Sequence, residues 1–269
     1  IKGIGIGIAG IVNKKDGSLR WPEKVGNSWD YASIYVPLKN IIEKEFGLPV
    51  TIENDATSAC FGEQWLDLEP GIKNLIYMFS GVGCGIMING EIYTGSSGSA
   101  GEVSIYNPKD ESPFSCHAGN PCFLKRWDID FGLPQEARDI AAGTKESKHS
   151  AGRIVELADN KPDDISLKHI FHAARENDPL ASELLDRAAK QFGIKVAYLV
   201  NLLNPEVVVV GGGLEQAGER FLNVVKSTVD AWAFEEMSSR VRIVYSTLGE
   251  NAVSLGAASL VMRQVFSRV

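Results

Sequence analysis

No stretch of this 269-residue chain approaches the ~20 apolar residues that a membrane-crossing helix needs, and its start, Ile1-Lys2-Gly3-Ile4, lacks the basic and small-residue organisation of a secretory signal. Both absences point to a cytoplasmic address. Basic charge is short as well: with 27 Lys and Arg against 34 Asp and Glu, the net charge is −7 and the pI near 5.2. Such a surface offers no electrostatic footprint for a nucleic-acid backbone, so this stretch by itself is not expected to grip DNA. Cysteine is scarce. Cys60, Cys84, Cys116 and Cys122 are too few for a disulfide scaffold, which leaves reduced thiols or a metal site as their uses. Repeats and low-complexity tracts are also missing. What remains, 44% hydrophobic and 23% charged residues, is the composition of an ordinary globular protein, long enough for one large domain or two lobes.

Strand-like apolar runs recur at Ile4–Ile8, Val50–Glu53, Leu75–Phe79, Cys84–Ile88, Val207–Val210 and Val241–Tyr245. Amphipathic segments at Val36–Phe46, Ala56–Leu66, Pro179–Leu203 and Val253–Phe266 alternate with them, which predicts an α/β architecture. From about Asn107 to Ser150 the periodicity fades into Pro, Gly, Ser and charge, the pattern of an irregular or functional insertion. The first strand starts with no lead-in, as though an earlier part of its sheet lay outside this chain.

Glycine clusters stand within or just after three of the strands: Gly5–Gly10, Gly81–Gly85 and Gly211–Gly213. Glycine lets a backbone approach a ligand closely and aim its N–H groups at phosphate or sugar oxygens, although a strand-ending glycine is more often only a turn. In α/β sheets, loops beyond the carboxyl ends of strands gather around ligands. Glu53-Asn54-Asp55 places an amide and a carboxylate at a strand-to-helix corner. Taken alone this pattern favours a helix cap; the alternative is a carboxylate that takes a proton from a sugar hydroxyl while the amide holds the ring. Glu102 follows the small-residue turn Gly98–Gly101 and would need partners or a ligand if buried, or is simply a solvated loop charge. Cys116, His117 and Cys122 form a soft-ligand cluster, short of the four ligands that structural zinc takes; packed free thiols are the simpler use.

Together these motifs resemble the ROK family of repressors and sugar kinases over essentially the whole chain. Ile4–Val12 is similar to the family's sugar loop, Glu53–Ala56 to its END-A motif and Gly81–Gly90 to its second phosphate loop. Gly95–Glu102 resembles its sugar-binding Gly-Glu segment, and Asn201–Leu214 its adenosine-side loop. The resemblance implies an actin-like ATPase (ribonuclease H-like) fold with two lobes around a cleft: residues 1–65 with 253–269 in the small lobe, 66–252 in the large. It makes Asp55 the base in any kinase reaction, and places Gly10, Asn54, Asp55 and Glu102 at the sugar. Gly81, Gly83, Gly85, Gly211, Gly212 and Gly213 fall on the nucleotide side.

Departures from the family pattern matter as much. Ile105 stands where the family carries a histidine that touches sugar and zinc, and Leu124 where it carries a sugar-contacting glutamate. Val82 replaces a phosphate-loop threonine, and Ser115 and His117 replace two of the cysteines, so a full zinc site is expected to be degraded. A first phosphate loop, Asp-Gly-Gly-Thr-like in the family, does not precede Ile4. The base is kept while the nucleotide clamps are eroded, which suits a sugar-sensing regulator whose helix-turn-helix, the DNA reader, lies outside this chain. The rival is an ATP- and Mg-dependent hexose or amino-sugar kinase. A homodimer is expected from the resemblance.

Overall fold

A computed structural model describes residues 1–25, 28–80, 83–103 and 129–266. The chain opens with β1 (Ile4–Ile8) and β2 (Ile11–Val12), then β3 (Leu19–Val25), β4 (Ser28–Val36), α1 (Leu38–Phe46), β5 (Val50–Asn54) and α2 (Asp55–Leu66). Strands β6 (Leu75–Phe79), β7 (Gly83–Ile88) and β8 (Glu91–Ile92) come next. Helices α3 (Ile129–Ala141), α4 (Gly152–Leu157), α5 (Leu167–Arg175) and α6 (Pro179–Leu203) lead to β9 (Val207–Gly211). The chain closes with α7 (Glu219–Trp232), α8 (Glu235–Ser238), β10 (Arg242–Tyr245) and α9 (Ala252–Phe266).

Among the described residues the strands form three sheets. β1 and β5 run parallel, with Ile8 opposite Asn54 at their carboxyl ends. The largest sheet has the order β10-β9-β6-β7-β8, parallel from β10 to β6 and antiparallel beyond. Its centre, Val207–Val210 and Leu75–Met78, is apolar on both faces and fully buried, as strands covered on both sides require. One face carries α5, α6 and α7 through Ile170, Phe192, Val196 and Phe221; the other carries α2 and α9 through Phe61, Ala252 and Leu260. β2, β3 and β4 form the third, antiparallel sheet.

Glycines set how closely these layers meet. The helix pair α2 and α9 lies between the β1–β5 sheet and the large sheet. A side chain at Gly5 would overlap the Ala257 carbonyl of α9, and one at Gly85 the Ala56 carbonyl and Cys60 of α2. Between the helices, a Cβ on Gly256 would overlap the Ser58 carbonyl, and one on Gly62 would stand 2.9 Å from the Gly256 Cα. Much of the glycine signal in the first two clusters thus serves backbone-close packing.

The helix ends follow local rules. Asp178 accepts from the Ala181 N–H at 2.8 Å and Pro179 opens α6, which stops at Asn204 in the left-handed region (φ 46°). Two expectations change. Within the stretch 107–150, residues 129–141 form α3 and put Leu133 and Ala137 into the core; Gly132 and Pro134 made that segment read as a loop. The β3–β4 pair was hidden too, because Pro22 and alternating charge interrupt the strand pattern. The register shifts between Trp21 and Glu23, where Pro22 has no N–H to give.

Candidate functional site

At the carboxyl end of β5 the chain turns into α2, and Asn54 makes the corner. Its Oδ1 accepts from the Thr57 N–H at 3.1 Å, capping the helix, while its Nδ2 donates to the Gly10 carbonyl at 3.4 Å and so ties β5 to the loop after β1. The cap is therefore Asn54, and Asp55 is released from that duty. Asp55 occupies the first turn, half-buried, with Oδ1 accepting from the Ala56 N–H at 2.8 Å. Burial outweighs these hydrogen bonds and holds its carboxyl above the usual aspartate range.

Glu102 is brought to the same place from the large sheet. Gly83 bridges to Glu102, and the Cys84 N–H donates to the Gly101 carbonyl at 2.8 Å, so the Gly98–Glu102 segment runs beside the start of β7. Gly101 takes φ 105°, and its missing side chain is filled by the Cys84 carbonyl. Protein crowding around Glu102 raises its carboxyl first, and the Asp55 charge adds to it. Glu102 nevertheless keeps open access to solvent, and water tempers its shift more than that of Asp55. The Asp55 and Glu102 carboxyls thus lie near enough for their charges to act on one another, and Asn54 adjoins Asp55 at the corner.

Sequence reasoning missed two neighbours. The Lys14 ammonium pairs with Glu53, whose Oε1 accepts from the Asn54 N–H at 2.8 Å, and the Lys14 stem lies against Gly98. Lys195 is a buried amine on α6, where desolvation lowers it to about 8, and it faces the Cys84 thiol, raised to about 12 by burial. A lysine inside the apolar face of Phe192, Val196 and Leu199 was the mark that could have found it.

On the far side of β6, Gly211, Gly212 and Gly213 turn the chain away from β9. Gly212 (φ 68°) packs on Ser80, whose hydroxyl donates to the Gly212 carbonyl. Gly213 (φ 95°) has open space where a side chain would stand, and its N–H donates to Glu215 at 3.0 Å. Gly83 is similarly uncrowded, whereas Gly211 is packed on Tyr77. Gly81, Val82, Ile105, Leu124 and the cluster Cys116, His117 and Cys122 lie outside the described residues. Cys60 and Cys84 are buried free thiols.

An α/β chain with this sheet order and this corner has the actin-like ATPase fold of sugar kinases. Residues 1–264 match the ROK family, and the chain belongs to it. It is 34% identical over 265 residues to a glucokinase of Halalkalibacterium halodurans, covering 97% of this chain and 76% of that one. It is 30% identical over 271 residues to a xylose repressor of Caldicellulosiruptor bescii, covering 99% of this chain and 64% of the repressor. A crystal structure of a ROK family glucokinase from Streptomyces griseus, in complex with glucose and AMPPNP, superposes with a TM-score of 0.79 at 29% identity, over 98% of this chain and 82% of that one. The chain thus spans about three quarters of a curated kinase and under two thirds of a curated repressor. Among the described residues no helix is long and apolar enough to cross a membrane.

Proposed function

We propose that this chain holds a sugar between the Asn54–Asp55 corner and Glu102, and that it serves as the effector-binding part of a ROK transcriptional regulator. The observation behind the sugar site is the division of labour at the head of α2: Asn54 caps the helix, so Asp55 is not the cap, and its charge acts on Glu102. Two neighbouring acceptor groups with an amide beside one of them suit adjacent hydroxyls of a pyranose. The regulator half rests on what the phosphate side lacks. Val82 supplies no hydroxyl for phosphate or metal, and Ile105 and Leu124 remove two polar sugar contacts of the family pattern. Such a regulator works in the cytoplasm as a homodimer and reaches DNA through a helix-turn-helix outside this chain. Cleft closure over sugar would set the spacing of that reader.

A panel of sugars mixed with ATP, magnesium and the full-length protein should give no phosphorylated product, while one of them changes operator affinity. Turnover above about 1 per second, within the ordinary range for kinases, would overturn this reading.

The second reading, an ATP-dependent sugar kinase, is favoured by the retained Asp55 and by the 34% identity to a glucokinase. Asp55 would then accept the proton of the attacking hydroxyl, its raised basicity suiting a general base. Gly83 and Gly213, uncrowded where a side chain would stand, fit the close approach of a nucleotide. Bound ATP and magnesium would supply the phosphoryl group and the charge that steadies its transfer. A degraded zinc site predicts well under one zinc per chain by metal analysis; stoichiometric zinc would restore Cys116, His117 and Cys122 as ligands.

A further inference from the structure

We infer that Glu63 is a positioning residue for the Gly211–Gly213 turn, wiring that turn to the helix whose other end carries Asp55. Eight residues of α2 separate the two carboxyls, about 12 Å along a rigid axis, and every residue from Ala56 to Glu63 is buried. Glu63 itself is 1% exposed. Its Oε1 accepts from the Ser246 hydroxyl, and the Thr247 and Leu248 N–H groups face the same carboxyl. Ser246 in turn accepts from the Gly249 N–H at 3.1 Å through its hydroxyl and donates its own N–H to the Val210 carbonyl at 2.9 Å.

Tyr77 packs beside this network, its buried hydroxyl making no hydrogen bond among the described residues. It is fully buried and lies directly against Gly211, with the Ser246 side chain and the Gly212 backbone as polar neighbours of its hydroxyl. A carboxyl on α2, a hydroxyl after β10 and a phenol on β6 therefore converge under one glycine turn. Burying an acid there is costly, and an apolar residue would fill the space at lower cost. The acid accepts from the Ser246 hydroxyl with the Thr247 and Leu248 N–H groups beside it, which fixes where the segment after β10 sits relative to α2, and with it the floor of the turn. Ser80, held in the left-handed region (φ 47°), clamps the turn from the other side. Any change that sugar causes at the Asp55 end then reaches the turn through α2; this consequence rests on the proposed sugar site, whereas the positioning does not.

Amide hydrogen exchange of the full-length protein tests both. Without ligand, Glu63→Ala should speed exchange at 211–213 and 246–249 by about tenfold or more over β6 and α6, because a lost local link opens locally. Glu63→Gln, which keeps the acceptor, should restore protection, and Ser246→Ala should reproduce the local loss with the acid in place. Uniform acceleration across β6 and α6, no acceleration in either Ala variant, or a Gln variant no better than Ala would overturn the inference. With glucose or xylose as probe, sugar should protect the turn in the parent protein, and in Glu63→Gln, but not in Ser246→Ala at equal occupancy. Sugar binding without protection of the turn would overturn the relay. If neither sugar binds, the sugar reading fails, and the ligand-free comparison still decides the role of Glu63.

Discussion

The two ends of α2 treat a buried acid in opposite ways. At the N-terminal end, Asp55 is desolvated near a second carboxyl, Glu102, and is met by donors of its own corner, the Ala56 N–H first. Two turns on, Glu63 is buried more deeply but meets Ser246 and the donors of the following turn. Both carboxyls are raised by burial, but Asp55 meets donors of its own helix turn, whereas Glu63 meets a hydroxyl 183 positions away. Under the sugar reading, an acid set near another acid is kept for a ligand, whereas an acid joined to a distant segment holds the fold's own parts in register.

Breaking the first end should have the largest effect. Asp55→Asn removes the base, so if the full-length protein phosphorylates sugar, turnover should fall by about 10²–10⁴, measured in a coupled assay. Under the sensor reading the same variant weakens sugar binding, read by calorimetry. Stability should move the other way. The folded state holds the Asp55 proton more tightly than the unfolded chain, so the carboxyl's contribution to stability is lost as pH rises from the unfolded aspartate range, about 3.9, through its raised folded value. Melting temperature of Asp55→Asn should therefore exceed that of the parent at pH 7, with the gap closing toward pH 4. A gap that widens in acid would show that Asp55 is stabilised as an anion.

At the other end, Glu63→Ala should cost about 1–3 kcal/mol by denaturant unfolding, the range for stranding buried donors, and Glu63→Gln less. Here sugar binding should survive. Equal losses of sugar affinity at both ends would erase the distinction between them. Between the ends, Gly256→Ala forces a methyl into the Ser58 carbonyl and should cost about 1–3 kcal/mol by overpacking.

A motif singles out Asp55, Asn54 and Glu102 in the sequence, and the fold sets Asn54 and Asp55 at one corner with Glu102 within reach of the Asp55 charge. The sequence hid Glu63, Lys14 and Lys195, whose roles depend on which distant segment folds against them: Ser246 lies 183 positions from its partner. The six strands read from apolar runs are all present, since burial on both faces leaves a continuous signature in Val207–Val210 and Leu75–Met78. What failed was the pair β3–β4 and helix α3, where proline and glycine imitate loop punctuation. Glycine misled in a second way. Gly5 and Gly85 carry the small-residue signal of a ligand loop, yet the helix pair α2 and α9 already fills the space beside them. Spacing cannot separate a glycine that admits a ligand from one that admits a helix.

The smallest effect is expected where carboxylates meet partners in water. Arg242 reaches Glu69 at 2.8 Å and 3.1 Å, a two-pronged ion pair, but both side chains are largely solvent-exposed. Water already satisfies these charges in the unfolded chain, and holding two long side chains in one geometry costs entropy. Glu69→Ala should accordingly shift unfolding by about 0.2–1 kcal/mol, less still at high salt. Salt then separates three kinds of acid on or just beyond one helix: the response should be plain at Glu69, slight at Glu63, and at Asp55 dependent on whether a sugar is bound. A Glu69 effect as large as that of Glu63→Ala would mean that burial is not what sets these carboxyls apart.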